Sequence, residues 1–156
     1  MTRLEFGISE PVIDAVHEGL RERLARSHPG VGRPHVEIYL RTCDVCVSWW
    51  RGAECLGAII GRAPLVHAVF RPEVQGRWFT RSSFAAFADW YFARHDVMRV
   101  AEWTGPGERL MRFVGANRVG SCYELTQEDL DRSAVKRRNP VMEAAHVVAP
   151  ELLRTV

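Results

Sequence analysis

The spacing of apolar residues over the first forty positions predicts a strand, a helix and a second strand. Apolar and polar or small residues alternate from Leu4 to Ile8, which is the period of a half-buried strand. From Val12 to Leu24 the apolar residues recur at three and four positions, the period of a helix face, and Pro29-Gly30 ends that helix. Val36 to Leu40 is rich in β-branched and aromatic residues and predicts the next strand.

The middle of the chain predicts an antiparallel meander. Val45 to Trp50 and Cys55 to Ile60 are strand-like, and the turn Arg51 to Glu54 joins them. Leu65 to Phe70 predicts a further short strand. The segment Arg71 to Gly76 then breaks the ladder, because its proline and glycine both interrupt strand pairing.

The pattern after residue 80 alternates between helix and strand. Thr80 or Ser82 can cap a helix that carries apolar residues at helical spacing from Phe84 to Phe92. The remaining elements predicted are the strand Met98 to Trp103, the turn Thr104 to Gly107, the helix Glu108 to Val114, the strand Cys122 to Leu125 and a capping box at Thr126 to Asp129.

Together these elements predict a mixed α/β fold of the α+β kind, with a mostly antiparallel central sheet flanked by helices. At 156 residues, one domain is expected, over residues 1–130. Residues 131–156 are interpreted as a linker, containing Lys136 to Pro140, and an appended arm, Val141 to Val156. The apolar residues of the arm predict that it packs on a neighbouring subunit or another protein.

Composition excludes some partners. The chain has 21 basic and 19 acidic residues, a formal charge of +2, which favours neither nucleic acid nor an anionic membrane as a partner. The three basic residues Lys136 to Arg138 are better interpreted as a solvated linker than as a nucleic-acid contact. No run reaches the roughly 18 apolar residues of a membrane helix, and the first eight residues lack a signal peptide. A cytoplasmic protein with reduced cysteines is therefore expected.

Cys43 and Cys46 have the CxxC spacing of zinc sites and redox pairs. A zinc site needs two further ligands, and the sequence has no second CxxC and no HxxxH. The pair is interpreted as structural, and no metal site is predicted.

The run from Leu65 to Arg77 resembles the central segment of the GNAT superfamily of N-acetyltransferases. In that segment a strand leads through a Pro-Glu turn, here Pro72-Glu73, into a loop of the pattern Gln/Arg-Gly-x-Gly-x-Gly/Ala. The order of the surrounding elements supports the resemblance, which covers roughly residues 43–126. A looser resemblance links the chain to small GNAT-like proteins of tailed bacteriophages, some of them associated with the virion.

The resemblance implies an acetyl-CoA site, in which the loop and the following helix N-terminus hold the pyrophosphate through backbone N–H groups. The corresponding positions here are Gln75, Gly76, Arg77, Trp78, Phe79 and Thr80. Trp78 stands where the family pattern has a second glycine, and Thr80 stands where it has glycine or alanine. Trp78 is expected to be exposed because it lies in the loop. Arg77 and Arg81 are either a phosphate clamp or solvated surface residues.

The same resemblance locates the catalytic positions. Met111 occupies the place of the tyrosine that protonates the departing thiolate, and methionine cannot donate a proton. Thr104 stands in place of a common asparagine. His67 is the only titratable candidate on the central strand, either as a general base or as a packed histidine.

Two functions are therefore predicted. The first is a GNAT-fold protein with a degraded site that serves as a structural or binding component, located in the virion if a phage encodes it. The second is an active N-acetyltransferase that binds acetyl-CoA, with His67 or a water relay taking the proton of the attacking amine.

Overall fold

The computed structural model describes residues 2–101 and 106–133, and these residues form a mixed α/β fold. Within them lie seven strands and five α-helices, in the order β1 (Thr2–Phe6), α1 (Glu10–Ser27), α2 (Arg33–Arg41), β2 (Val45–Arg51), β3 (Glu54–Arg62), β4 (Leu65–Phe70), α3 (Arg81–Phe92), β5 (Val97–Ala101), α4 (Pro106–Phe113), β6 (Asn117–Val119), β7 (Cys122–Thr126) and α5 (Gln127–Arg132). A single turn of 3₁₀-helix, Pro72–Val74, follows β4. The predicted fold class is confirmed.

The contacts divide the chain into two compact units. The first contains the residues up to Arg62 together with His67–Trp78. The second contains Ala63–Val66 and the residues from Phe79 onward. Strand β4 runs from one unit into the other. Of the predicted linker and arm, residues 131–156, only positions 131–133 are among the described residues.

In the first unit, β1, β2 and β3 pair antiparallel in sequence order, with Leu4 opposite Trp49 and Val47 opposite Ile59. The helices α1 and α2 cover one face of these strands and form a core with them. The buried core residues are Val12, Ile13, Ala15, Val16, Val36, Leu40, Cys46, Trp50, Cys55, Ala58, Ile60 and Val69. Burial of these side chains supplies the main stabilising free energy of this unit.

The segment Val36 to Leu40 lies in helix α2, so the predicted strand there is wrong. Val36 and Leu40 are buried one helical turn apart, whereas Ile38 is 65% exposed. Gly32 begins the helix, and its N–H donates to Nδ1 of His35 at 3.1 Å. A five-residue apolar run fits both the strand period and the helix period. Packing of Val36 and Leu40 against α1 and the strands selected the helix.

In the second unit, the start of β4 pairs parallel with β5, and β5, β7 and β6 follow in antiparallel order. Helix α3 is buried along most of its length, and Tyr91 donates its hydroxyl proton to the carbonyl of Val97 at 2.8 Å. The predicted helix around residues 84–92, the helix ending near Gly115 and the capping box at Thr126 are confirmed.

Strand β6 was not predicted. All three of its residues are exposed, so its sequence carries no apolar alternation that would mark a strand. The predicted end of β5 at Trp103 and the turn from Thr104 fall partly on residues 102–105, which lie outside the described residues.

Candidate functional site

His67, the predicted general base, lies on β4 and is half-buried in the first unit. Burial lowers the pKa of its imidazole below the usual value of 6.5, and the positive charge of Arg23 lowers it further. The neutral ring is therefore favoured at pH 7, which is the protonation state that a base requires.

The first part of the predicted phosphate loop, Gln75 to Trp78, follows the 3₁₀ turn. The N–H of Arg77 donates to the carbonyl of Val74 at 2.9 Å, which tightens the chain into a turn. Gly76 has a φ of +79°, the left-handed region that favours glycine, and a Cβ added there would meet nothing within 4 Å. The backbone at Gly76 is therefore accessible to a ligand.

Trp78 is buried, with 8% of its surface exposed, so its predicted exposure is wrong. Its ring stacks on Phe70, with 4.0 Å between the centroids and 9° between the planes. It also meets the ring of Trp49 edge-on at 5.4 Å. The indole thus completes an aromatic cluster within the first unit, because its apolar surface gains more from packing than from water.

The second part of the predicted loop, Phe79 and Thr80, belongs to the second unit. The ring of Phe79 lies 5.2 Å from that of Phe84 and 6.0 Å from that of Phe113. Thr80 is the N-cap of α3, as predicted. Its hydroxyl oxygen accepts from the N–H of Ser83 at 3.2 Å and donates to the Ser83 hydroxyl at 2.6 Å.

Ser83 completes a reciprocal cap at this helix end. Its hydroxyl donates to the carbonyl of Thr80 at 3.1 Å and accepts from the N–H of Thr80 at 3.4 Å. Two of the backbone donors at the start of α3 therefore already have partners within the chain. The first-turn N–H groups of Arg81 and Ser82 have no acceptor within the helix.

The two arginines of the predicted clamp have different surroundings. Arg77 is exposed in the first unit. Arg81 belongs to the second unit, and its guanidinium lies 5.1 Å from the ring centroid of Phe113.

Met111 lies on α4 and is 5% exposed. It is part of the apolar core of the second unit and offers no proton to a leaving group. Thr104, where the resemblance implies an asparagine, lies outside the described residues.

The CxxC cysteines are free thiols in an apolar environment. Cys43 is half-buried and Cys46 is buried. Burial raises the pKa of the Cys46 thiol to about 12, and burial also raises the pKa of Cys43. Metal binding and disulfide exchange both need the thiolate, which this setting disfavours. Nowhere in residues 2–101 and 106–133 do three His, Cys, Asp or Glu side chains group to hold a metal ion.

Arg71 is a structural anchor that the sequence did not reveal. Its guanidinium pairs with the carboxylate of Glu18 on α1, and its Nε donates to the carbonyl of Cys55 at 2.8 Å. Its side chain is only 18% exposed. The residue that begins the loop is thereby tied to both α1 and β3.

A groove of about 1120 Å³ runs along α1 in the first unit. More than two turns of the helix contribute to it, and the following loop, α2 and the loop after β4 complete its wall. The residues that line it include Leu20, Arg23, Leu24, Val31, Tyr39 and Gln75. The sequence predicted no such site, because only the docking of α1 beside α2 creates the depression.

No protein-family model matches the chain, and no curated protein matches it significantly. Across residues 2–101 and 106–133, no helix is both long and apolar enough to cross a membrane. The function of the protein is therefore inferred from the side chains and helix ends described above.

Proposed function

We propose that this chain is a GNAT-fold protein whose acetyltransferase site is degraded, and that it acts as a structural or binding component. The order of elements supports the GNAT resemblance. The β2–β3 hairpin is followed by β4, a loop, α3, β5 and α4, which is the order that the resemblance implies. The loop between β4 and α3 falls on the residues expected to hold acetyl-CoA.

The observation that carries the proposal is the reciprocal Thr80–Ser83 cap at the N-terminus of α3. A helix end that binds a phosphate directs its backbone N–H groups at the ligand. Here the hydroxyls of Thr80 and Ser83 bond each other and the backbone of the same turn. An incoming pyrophosphate would have to displace these bonds to reach the N–H of Ser83.

The surroundings of Trp78 and Met111 support the same conclusion. The backbone approach that a second glycine permits is replaced by a ring packed on Phe70 and Trp49. A buried methionine stands where the resemblance implies a proton donor. The loop and α4 therefore contribute packing where an enzyme would contribute binding and proton transfer.

The test is isothermal titration calorimetry of the full chain with acetyl-CoA and, separately, CoA, at two temperatures so that a binding enthalpy near zero is not missed. We expect no binding at millimolar ligand, because an incoming pyrophosphate would have to displace the hydrogen bonds between Thr80 and Ser83. Thr80→Ala removes the hydroxyl that accepts from the N–H of Ser83. Ser82→Ala, which changes an exposed neighbouring residue, is the matched control. A micromolar dissociation constant for the unaltered chain would overturn the proposal.

The alternative function is an active N-acetyltransferase, which the neutral state of His67 favours. In this reaction the amine nitrogen attacks the thioester carbonyl and the C–S bond breaks. CoA leaves as the thiolate, and the proton of the amine passes to His67 or to a water relay. Release of free CoA thiol from acetyl-CoA with a panel of amines would establish this function. Loss of this release in His67→Gln would assign the base to His67, whereas retained release would assign it to the water relay.

As a structural or binding component, the chain is expected to have protein partners or to self-assemble through Val141 to Val156. A formal charge of +2 supports proteins over nucleic acid as partners. The bacteriophage resemblance extends the proposal to a virion component, and otherwise the cytoplasm is the proposed location. The proposed component needs no cofactor, whereas the alternative needs acetyl-CoA.

A further inference from the structure

The groove along α1 combines an apolar floor with a cationic edge. Leu20 and Leu24 lie one helical turn apart, each with one side packed on the core of the first unit. Tyr39, which is 40% exposed, forms part of the opposite wall. The groove follows more than two turns of α1, a shape that suits a peptide segment lying along the helix.

The charge at the edge of the groove is positive. Arg26 pairs with Glu22 and is neutralised by it. Arg23, on the same stretch of α1, is exposed, and within the described part of the chain no carboxylate pairs with it. A complementary occupant is therefore apolar and carries a carboxylate beside its apolar side chains.

The chain itself contains such a segment. Residues 141–156 include the apolar pairs Val147-Val148 and Leu152-Leu153, and Glu151 directly precedes the second pair. This stretch contains two carboxylates, Glu143 and Glu151, and one guanidinium, Arg154, so its side chains carry a formal charge of −1. In Glu151-Leu152 a negative charge precedes a leucine, and in Arg23-Leu24 a positive charge precedes a leucine. The two dipeptides are therefore complementary in charge.

We infer that the groove on α1 binds the segment Val141–Val156 of a second copy of this chain. The inference rests on the proposed structural function, since a contact between copies is what assembly requires. Leu152 and Leu153 cover Leu20 and Leu24, and Glu151 pairs with Arg23. Apolar burial supplies most of the affinity, and the ion pair fixes the register.

Photo-crosslinking of the full chain tests this contact. Unlabelled chain carrying Leu24→benzoylphenylalanine is mixed with ¹⁵N-labelled unaltered chain, irradiated and analysed by mass spectrometry. We expect adducts between the unlabelled peptide around position 24 and a labelled peptide from residues 141–156. Ile38→benzoylphenylalanine is the matched control, because Ile38 is 65% exposed on α2 and lies outside the groove lining. Adducts confined to one copy, adducts to other segments only, or no adducts would overturn the inference.

A charge swap tests the ion pair independently. We expect Arg23→Glu and Glu151→Arg each to weaken self-association, measured by sedimentation equilibrium, by roughly three- to tenfold, and the double variant to recover most of the loss. Additive losses in the double variant would contradict the pairing. The acetyl-CoA titration separates the two proposals, because ligand binding refutes the degraded site while crosslinking refutes or supports the contact between copies.

Discussion

At the scale of single residues, the surroundings of a side chain decide its role more than its position in a motif does. Trp78 stands where the resemblance to GNAT proteins implies a glycine, yet its ring packs in the aromatic cluster with Phe70 and Trp49. Its neighbour Arg77, one residue earlier, is exposed. Two adjacent loop residues therefore differ sharply in what they contribute to stability.

Trp78→Ala should destabilise the protein by about 3–5 kcal/mol, because it removes a buried ring and leaves a cavity between two aromatic side chains. Arg77→Ala should change the free energy of unfolding by less than about 0.5 kcal/mol. Urea denaturation followed by tryptophan fluorescence and circular dichroism measures both values. Equal small effects would mean that the Trp78 ring lies in solvent.

His67 should titrate with a midpoint below 6.5, since burial and then Arg23 disfavour its charged form. The folded chain binds this proton less tightly than the unfolded chain does. The stability contributed by its neutral form is therefore complete above the unfolded pKa and is lost as the pH falls through the lower folded pKa. Arg23→Gln should raise the midpoint part of the way, and Arg26→Gln should leave it unchanged. Histidine resonances followed by NMR across this pH range provide the check, and a midpoint above 6.5 would contradict the burial of the ring.

At the scale of elements, the close approach of α1 to β4 in the first unit depends on a glycine. A Cβ added at Gly19 would lie 2.6 Å from the carbonyl oxygen of Phe70 and 2.8 Å from Cγ1 of Val69. The oxygen belongs to a paired strand and cannot move aside cheaply. The absence of a side chain at this position lets the helix settle against the strand.

Gly19→Ala should therefore destabilise the protein, although alanine is the better helix former by roughly 1 kcal/mol. Overpacking costs about 1–3 kcal/mol and outweighs that gain. Gly30→Ala is the matched control, because a Cβ there meets nothing within 4 Å, and it should be neutral or slightly stabilising. The two midpoints in urea provide the comparison, and a stabilised Gly19→Ala variant would show that α1 stands further from β4.

At the scale of the whole molecule, the four cysteines fall into two accessibility classes. Cys43 and Cys122 are half-buried, whereas Cys46 and Cys55 are buried. Burial raises the pKa of both buried thiols, that of Cys46 to about 12. These environments favour the protonated thiol at both buried positions.

In the native state at pH 8, iodoacetamide should modify Cys46 at least roughly a hundredfold more slowly than a fully exposed thiol, because each unit of pKa reduces the thiolate fraction about tenfold. Cys43 and Cys122 should react before Cys46 and Cys55. In denaturant all four should react at similar rates. Peptide mass spectrometry of timed samples measures the order. Rapid labelling of Cys46 in the native state would favour a redox pair over a structural pair. Stoichiometric zinc in the purified protein would favour a zinc site.

The sequence predicted much of the fold because long periodic segments carry their own signal. The face of α1, the strands β2 to β4 and the cap at Thr80 all follow from spacing and local hydrogen bonding. The sequence did not identify the helix at Val36 to Leu40 or the strand β6. The first run is too short to show a helical or a strand period, and the residues of β6 are exposed and show no apolar alternation.

The candidate site was predictable only as a set of positions. Sequence placed Gln75 to Thr80 after β4 and before a helix, and the structure agrees. The direction of the Trp78 ring and the anchor between Arg71 and Glu18 depend on residues far apart in the chain. So does the groove beside α1. Local propensity and spacing therefore determined where the elements begin and what chemistry each residue offers. Tertiary packing decided which side chains are buried, because burial depends on neighbours that the linear pattern does not contain.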